Sequence, residues 1–182
     1  MHGYNGKDLA RAFQTVRGNT IKIAEEIPED KYGYRVAEGT RSVAETLAHL
    51  ATSTGWAQEM HGQRIPAVRF DLFMAAMQKG MAAAAALKTK AQILDALRSE
   101  GDKFVAFLES FPDEALAERV QYPAGMQPPD KSRFEMLLSA KEHEMHHRGQ
   151  LMVIERLLGI VPHLTREMQA RMQQTQSQSR GA

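Results

Sequence analysis

Apolar residues recur at helical rather than strand spacing along nearly the whole chain. Between Lys7 and Glu26, Leu9, Phe13, Val16, Ile21 and Ile23/Ala24 form an approximate stripe. Ile27-Pro28-Glu29-Asp30 ends it, because proline disfavours helix in the residue before it. Residues 28–41, with Gly33 and Gly39, read as a long connection. Three capping boxes then predict three further helix starts. Ser42-x-x-Glu45 opens a helix to about Met60, and Thr89-x-x-Gln92 one to about Ser110, before Pro112. Ser132-x-x-Glu135 opens the last, which ends at Leu158 with Gly159 as its C-terminal cap. In each box a hydroxyl and a longer polar side chain satisfy amide groups that the first turn leaves unpaired.

Within residues 62–88, Phe70 to Met77 predicts a short extra helix, and the alanine run 82–86 favours helix by propensity. Residues 113–131, with Pro123, Gly125, Pro128 and Pro129, read as an irregular connection. No stretch alternates strongly enough to predict a strand. Beyond Pro162 the chain turns polar, and its Gln/Ser-rich end from Gln173 reads as disordered. The expectation is one domain over residues 1–165 and a disordered tail over 166–182. Four main helices without a sheet predict an all-α, up-down four-helix bundle.

Composition narrows the function. The 182 residues are 43% hydrophobic and 25% charged, the balance of an ordinary globular protein. Net charge is +1 with no dense Lys/Arg block, which argues against a nucleic-acid partner. No apolar run approaches the ~18 residues needed to span a bilayer, and Met1 to Phe13 lacks the pattern of a signal peptide. The chain reads as cytoplasmic, acting on a small molecule. It has no cysteine, so Cys-ligated zinc and a Cys nucleophile are excluded, and any thiol must come from outside.

The candidate chemistry lies in His143-Glu144-Met145-His146-His147-Arg148-Gly149-Gln150-Leu151. Four-residue spacing puts His143 and His147 on one helix face, within the stripe of Met136, Ala140, Ile154 and Leu158. Polar groups in a core stripe are costly unless satisfied, and a metal would satisfy both imidazoles. The best third ligand is His49, which shares a helix sector with Ser42, Ser53, Trp56 and Met60. Three histidines would leave coordination positions open, as in catalytic rather than structural zinc. The competing reading is of histidines satisfied in the core or by solvent. His146, about 60° around the helix from His143, reads as outside the ligand set. Gln150 is placed to orient a ligand or to make a packing hydrogen bond. Arg148 reads as a packing or ion-pairing residue, and His2, His61 and His163 as solvated.

Ser42-Val43-Ala44-Glu45-Thr46-Leu47-Ala48-His49-Leu50, followed by His143-x-x-x-His147-Arg148-Gly149-Gln150-Leu151, resembles the DinB/YfiT-like superfamily across roughly residues 7–160. The resemblance implies a four-helix bundle binding a divalent metal, zinc or nickel, through His49, His143 and His147. It also implies metal-dependent transfer or isomerisation using a low-molecular-weight thiol, and a homodimer. Trp56 or Met60 would line the pocket.

Three other readings compete. His143-Glu144-x-x-His147 satisfies the zinc-hydrolase motif, with Glu144 activating water. However, Gln150 and Val153 stand where the longer form of that motif needs glycine and histidine. A di-iron carboxylate bundle needs a second Glu-x-x-His, which is missing. A non-catalytic bundle that binds metal or ligand fits the same residues.

Overall fold

The computed structural model describes residues 4–180. Helix α1 (Gly6–Glu26) starts at a capping box that local pattern reading passed over, Asn5 with Asp8. Helix α2 (Val43–Thr52) follows the Ser42/Glu45 box, α5 (Lys90–Ser110) the Thr89/Gln92 box and α6 (Arg133–Leu157) the Ser132/Glu135 box. All three boxes have both reciprocal hydrogen bonds in place. These four helices make the expected bundle. Its neighbour order does not follow the chain: α1 packs chiefly on α5 and α6, and α2 chiefly on α5 with a smaller contact to α6.

The core has two parts. Ile23, Ala24, Val43, Leu47, Leu50, Ile93, Leu97, Leu151 and Ile154 fill one. Leu9, Phe13, Phe104, Leu108, Phe111 and Leu137 fill the other, where the Phe13 and Phe104 rings meet edge to face at 4.8 Å. Between them lies a buried ion pair. Arg17 of α1 donates from Nε to Glu144 Oε1 and Oε2 at 2.8 and 3.0 Å, and from Nη2 to Oε2 at 2.9 Å. It also donates to the carbonyls of Leu97 and Leu50 at 2.9 and 3.0 Å. One guanidinium thereby touches all four bundle helices.

Several expectations need correcting. The helix read as continuous from Ser42 to Met60 breaks after Thr52, and α3 (Gly55–Gly62) resumes it. The break falls in Thr52-Ser53-Thr54-Gly55, whose hydroxyls compete for helix carbonyls; Ser53 donates to Leu50 O at 3.0 Å. The short helix and the alanine run merge into α4 (Phe70–Ala86), which packs on α2 and α3 and has no buried residue. A two-stranded sheet exists after all, with β1 (Arg119–Gln121) antiparallel to β2 (Asp130–Ser132). Strands of three residues are too short to show alternation in sequence.

The polar C-terminal stretch forms helix α7 (His163–Arg180) where the sequence suggests disorder. Its glutamines, arginines and methionines are good helix formers, and its first turns are tied to α1. Arg166 pairs with Glu26 at 2.5 Å and Glu167 with Lys22 at 3.2 Å. Two histidines expected in solvent are buried. His61 accepts from Arg133 Nη1 at 3.2 Å through Nδ1, and His163 sits 3.3 Å from Asn19 Oδ1. Each is covered by a segment distant in sequence. His2 lies outside the described residues. None of the described helices is long and apolar enough to cross a membrane.

Candidate metal centre

Helix α2 presents His49, and two successive turns of α6 present His143 and His147. The Ser42 and Ser132 caps set where each helix begins, and the contact between α2 and α6 brings the faces together. One ring nitrogen from each of the three lies within 4.8 Å of the others. His49 Nε2 and His143 Nε2 are 3.0 Å apart. All three ring pairs meet nearly perpendicular, with centroids 4.8–5.1 Å apart. His147 is buried, and His49 and His143 are half-buried.

Such a cluster suits a cation in two respects. Nitrogens sharing one zinc at about 2.0–2.1 Å stand roughly 3–3.4 Å apart, close to the His49–His143 separation. The imidazoles are also held in their ligating, neutral form. Burial pushes His49 and His143 down to about 4, and the charge of Arg41 and the neighbouring rings add to it. His147 is lowered by burial too.

Gln150 fixes the tautomer of His147. Its Oε1 accepts from Nδ1 at 2.8 Å, which leaves the Nε2 lone pair free for the centre. Its Nε2 donates in turn to His146 Nε2 at 3.1 Å, so exposed His146 stands outside the cluster as the last member of a hydrogen-bonded relay. Glu144 does not join. It is one residue, about 100°, past His143 and is held by Arg17 in the bundle interior. Arg148 forms no ion pair among the described residues, and its buried Nε has no partner.

Two cavities open on the centre. One, about 250 Å³, is lined by Arg41, Glu45, His49, Trp56, Met77 and Met81, among others. The other, about 530 Å³, is lined by Val36, Thr40, Arg41, Thr46, His147 and Gln150, among others. Trp56 is therefore at the mouth, as expected, whereas Met60 is fully buried in the core. Arg41 borders both cavities and carries no sequence motif of its own. Only its place directly before the Ser42 box could have pointed to it.

Known proteins fit this architecture. A profile of the DinB superfamily matches residues 12–151. The uncharacterized protein YjoA of Bacillus subtilis is 29% identical over 150 residues, covering 81% of this chain and 86% of YjoA. Its crystal structure, described as DinB-like, superposes with a TM-score of 0.61 at 24% identity, over 83% of this chain and 91% of that one. YfiT of the same bacterium is described as a probable metal-dependent hydrolase with an unusual four-helix bundle topology. It superposes at 0.63 with 12% identity, over 85% and 88% of the two chains.

The colibactin self-resistance protein ClbS, solved in complex with double-stranded DNA, also superposes at 0.63, with 16% identity over 86% of this chain and 98% of ClbS. That complex overturns the exclusion of nucleic acid drawn from net charge. A total of +1 averages over the whole surface and does not describe any one face of this fold. The superpositions show a shared fold, and the profile spans more than half of the sequence. This chain belongs to the DinB superfamily.

Proposed function

We propose that His49, His143 and His147 hold a divalent cation, zinc or nickel, and that the protein is a metal-dependent transferase or isomerase using a low-molecular-weight thiol. The observation that carries this reading is the convergence of three neutral imidazoles, with no carboxylate among them, beside two open cavities. Bound there, the cation supplies the positive charge that favours thiolate over thiol near neutral pH. The chain's own residues do the rest. Gln150 holds the His147 ring in register, and Trp56 gives the adjoining cavity an apolar wall.

YfiT's description raises hydrolysis as the rival reading. Hydrolysis in the His-Glu-x-x-His manner needs Glu144 as a base for water, and here that carboxylate accepts three hydrogen bonds from Arg17. Glu45, the acidic residue lining the His49 cavity, is held by Arg35 at 2.6 and 2.7 Å. A thiol, with an ordinary pKa about 8.5, depends far less on a base than water does.

Metal analysis of untagged protein tests the reading first. About one ion per chain is expected for a single such site, lost in both His49→Ala and His143→Ala. The metal-loaded protein is then assayed for thiol consumption with an electrophile such as 1-chloro-2,4-dinitrobenzene. Metal retained in both variants refutes the ligand set. A loaded protein that binds no thiol and hydrolyses esters refutes the thiol chemistry.

A further inference from the structure

Arg41 is exposed and stands directly before the N-cap of α2. Among the described residues it makes no hydrogen bond and no ion pair. The acidic residue that lines the His49 cavity with it is already committed. Glu45 is gripped by Arg35 and closes the capping box through the Ser42 amide at 2.8 Å. Arg41 nevertheless borders both the cavity that reaches His49 and the one that reaches His147.

A guanidinium is permanently charged, with five donors in a planar fork that matches a carboxylate. This one makes no hydrogen bond or ion pair within the fold, yet it stands where both cavities approach the three histidines. That arrangement is intelligible if the group that enters the site is an anion. We propose that Arg41 is the recognition residue for a carboxylate on the small molecule that binds beside the three-histidine centre. The protein is thereby selective for anionic over neutral substrates of similar size. This inference rests on the metal and thiol reading for the reaction, but on Arg41 alone for the anion.

Trp56, the only tryptophan in the chain, lines the same cavity as Arg41 and His49, so its fluorescence reports binding without requiring metal or thiol. Wild type, Arg41→Gln and Arg41→Lys are titrated with 3-mercaptopropionate, 2-mercaptoethanol and succinate. Trp56 fluorescence is followed in metal-free and cobalt-loaded protein, and sulfur-to-cobalt absorption in the loaded form. Arg41→Gln should leave the melting temperature unchanged, because the side chain is exposed and unpaired.

Wild type should bind 3-mercaptopropionate about tenfold or more tightly than 2-mercaptoethanol, as charge-assisted hydrogen bonds require. Arg41→Gln should abolish that preference and Arg41→Lys keep part of it. An Arg41-dependent response to succinate without one to 3-mercaptopropionate supports the inference and assigns the carboxylate to the electrophile. The same response with no cobalt–sulfur absorption from either thiol refutes the thiol reading and leaves the anion site standing. If neither carboxylate binds, or if both bind Arg41→Gln as tightly as wild type, the proposal is overturned.

Discussion

Glu144 offers the sharpest division between a structural and a chemical role. It is 1% exposed, and its partner Arg17 is 3% exposed. Glu144→Gln keeps the shape but removes the charge, and turns an amide NH2 toward a guanidinium that already donates to both carboxylate oxygens. Removing one member of a buried pair typically costs 3–5 kcal/mol, because the other charge is left uncompensated. Arg17 keeps its bonds to Leu50 O and Leu97 O, which softens the loss, so about 3 kcal/mol is expected at pH 7.

Urea unfolding reads this as a fall in midpoint of roughly 1–3 M at an unchanged slope. Arg17→Met should cost a similar amount. The double variant Arg17→Met/Glu144→Leu should recover most of it, since apolar replacements of buried pairs are often neutral. Metal content per folded molecule should stay at the wild-type level in Glu144→Gln. A variant with unchanged stability but lost activity would refute this account and return Glu144 to the role of base.

Gln150→Leu should weaken metal affinity by about 10–100-fold, measured by competition with a chelator, while the melting temperature of the metal-free protein stays close to wild type. Burial, and then the charge of Glu26, push the Glu155 carboxyl up to about 7. The folded state therefore holds its proton more tightly than the unfolded chain, and stability falls as pH rises from about 4.5 through 7. Glu155→Gln should remove that slope and gain up to about 3 kcal/mol at pH 8 in denaturant titrations. Gly6→Ala should cost about 1–3 kcal/mol in thermal unfolding, because a Cβ there would stand 2.4 Å from the Leu108 carbonyl oxygen, in backbone that cannot easily yield.

What was legible in the sequence was local. Ser42, Thr89 and Ser132 each announce a helix start within four residues, and all three starts are where those boxes place them. His143 and His147 share a face by spacing alone. What escaped was set by partners far along the chain. His61 is buried because Arg133 and Phe111 close over it, and α7 is held against α1 by the ion pairs of Arg166 and Glu167. The turn at Ser53-Thr54 is partly local, through Ser53 donating to Leu50 O, and partly distant, since Arg17 donates to the same carbonyl. No window centred on Ser53 contains that arginine.

The His-Glu-x-x-His run shows why spacing needs a second helix before it becomes chemistry. A step of about 100° separates Glu144 from His143, so a helix cannot aim both at the same neighbour. In zinc hydrolases that offset suits the motif, because the glutamate must reach a water beside the metal rather than the metal itself. Here the bundle fills that direction with α1, and Arg17 meets the carboxylate there. The pair then acts on the site indirectly. By binding Glu144, Leu50 and Leu97 at once, Arg17 fixes how α6 is rotated against α2 and α5. That rotation turns His143 and His147 toward His49. A residue that looks catalytic in the sequence thus contributes to the site as a positioning group, one residue past His143 and about 100° around the helix from it.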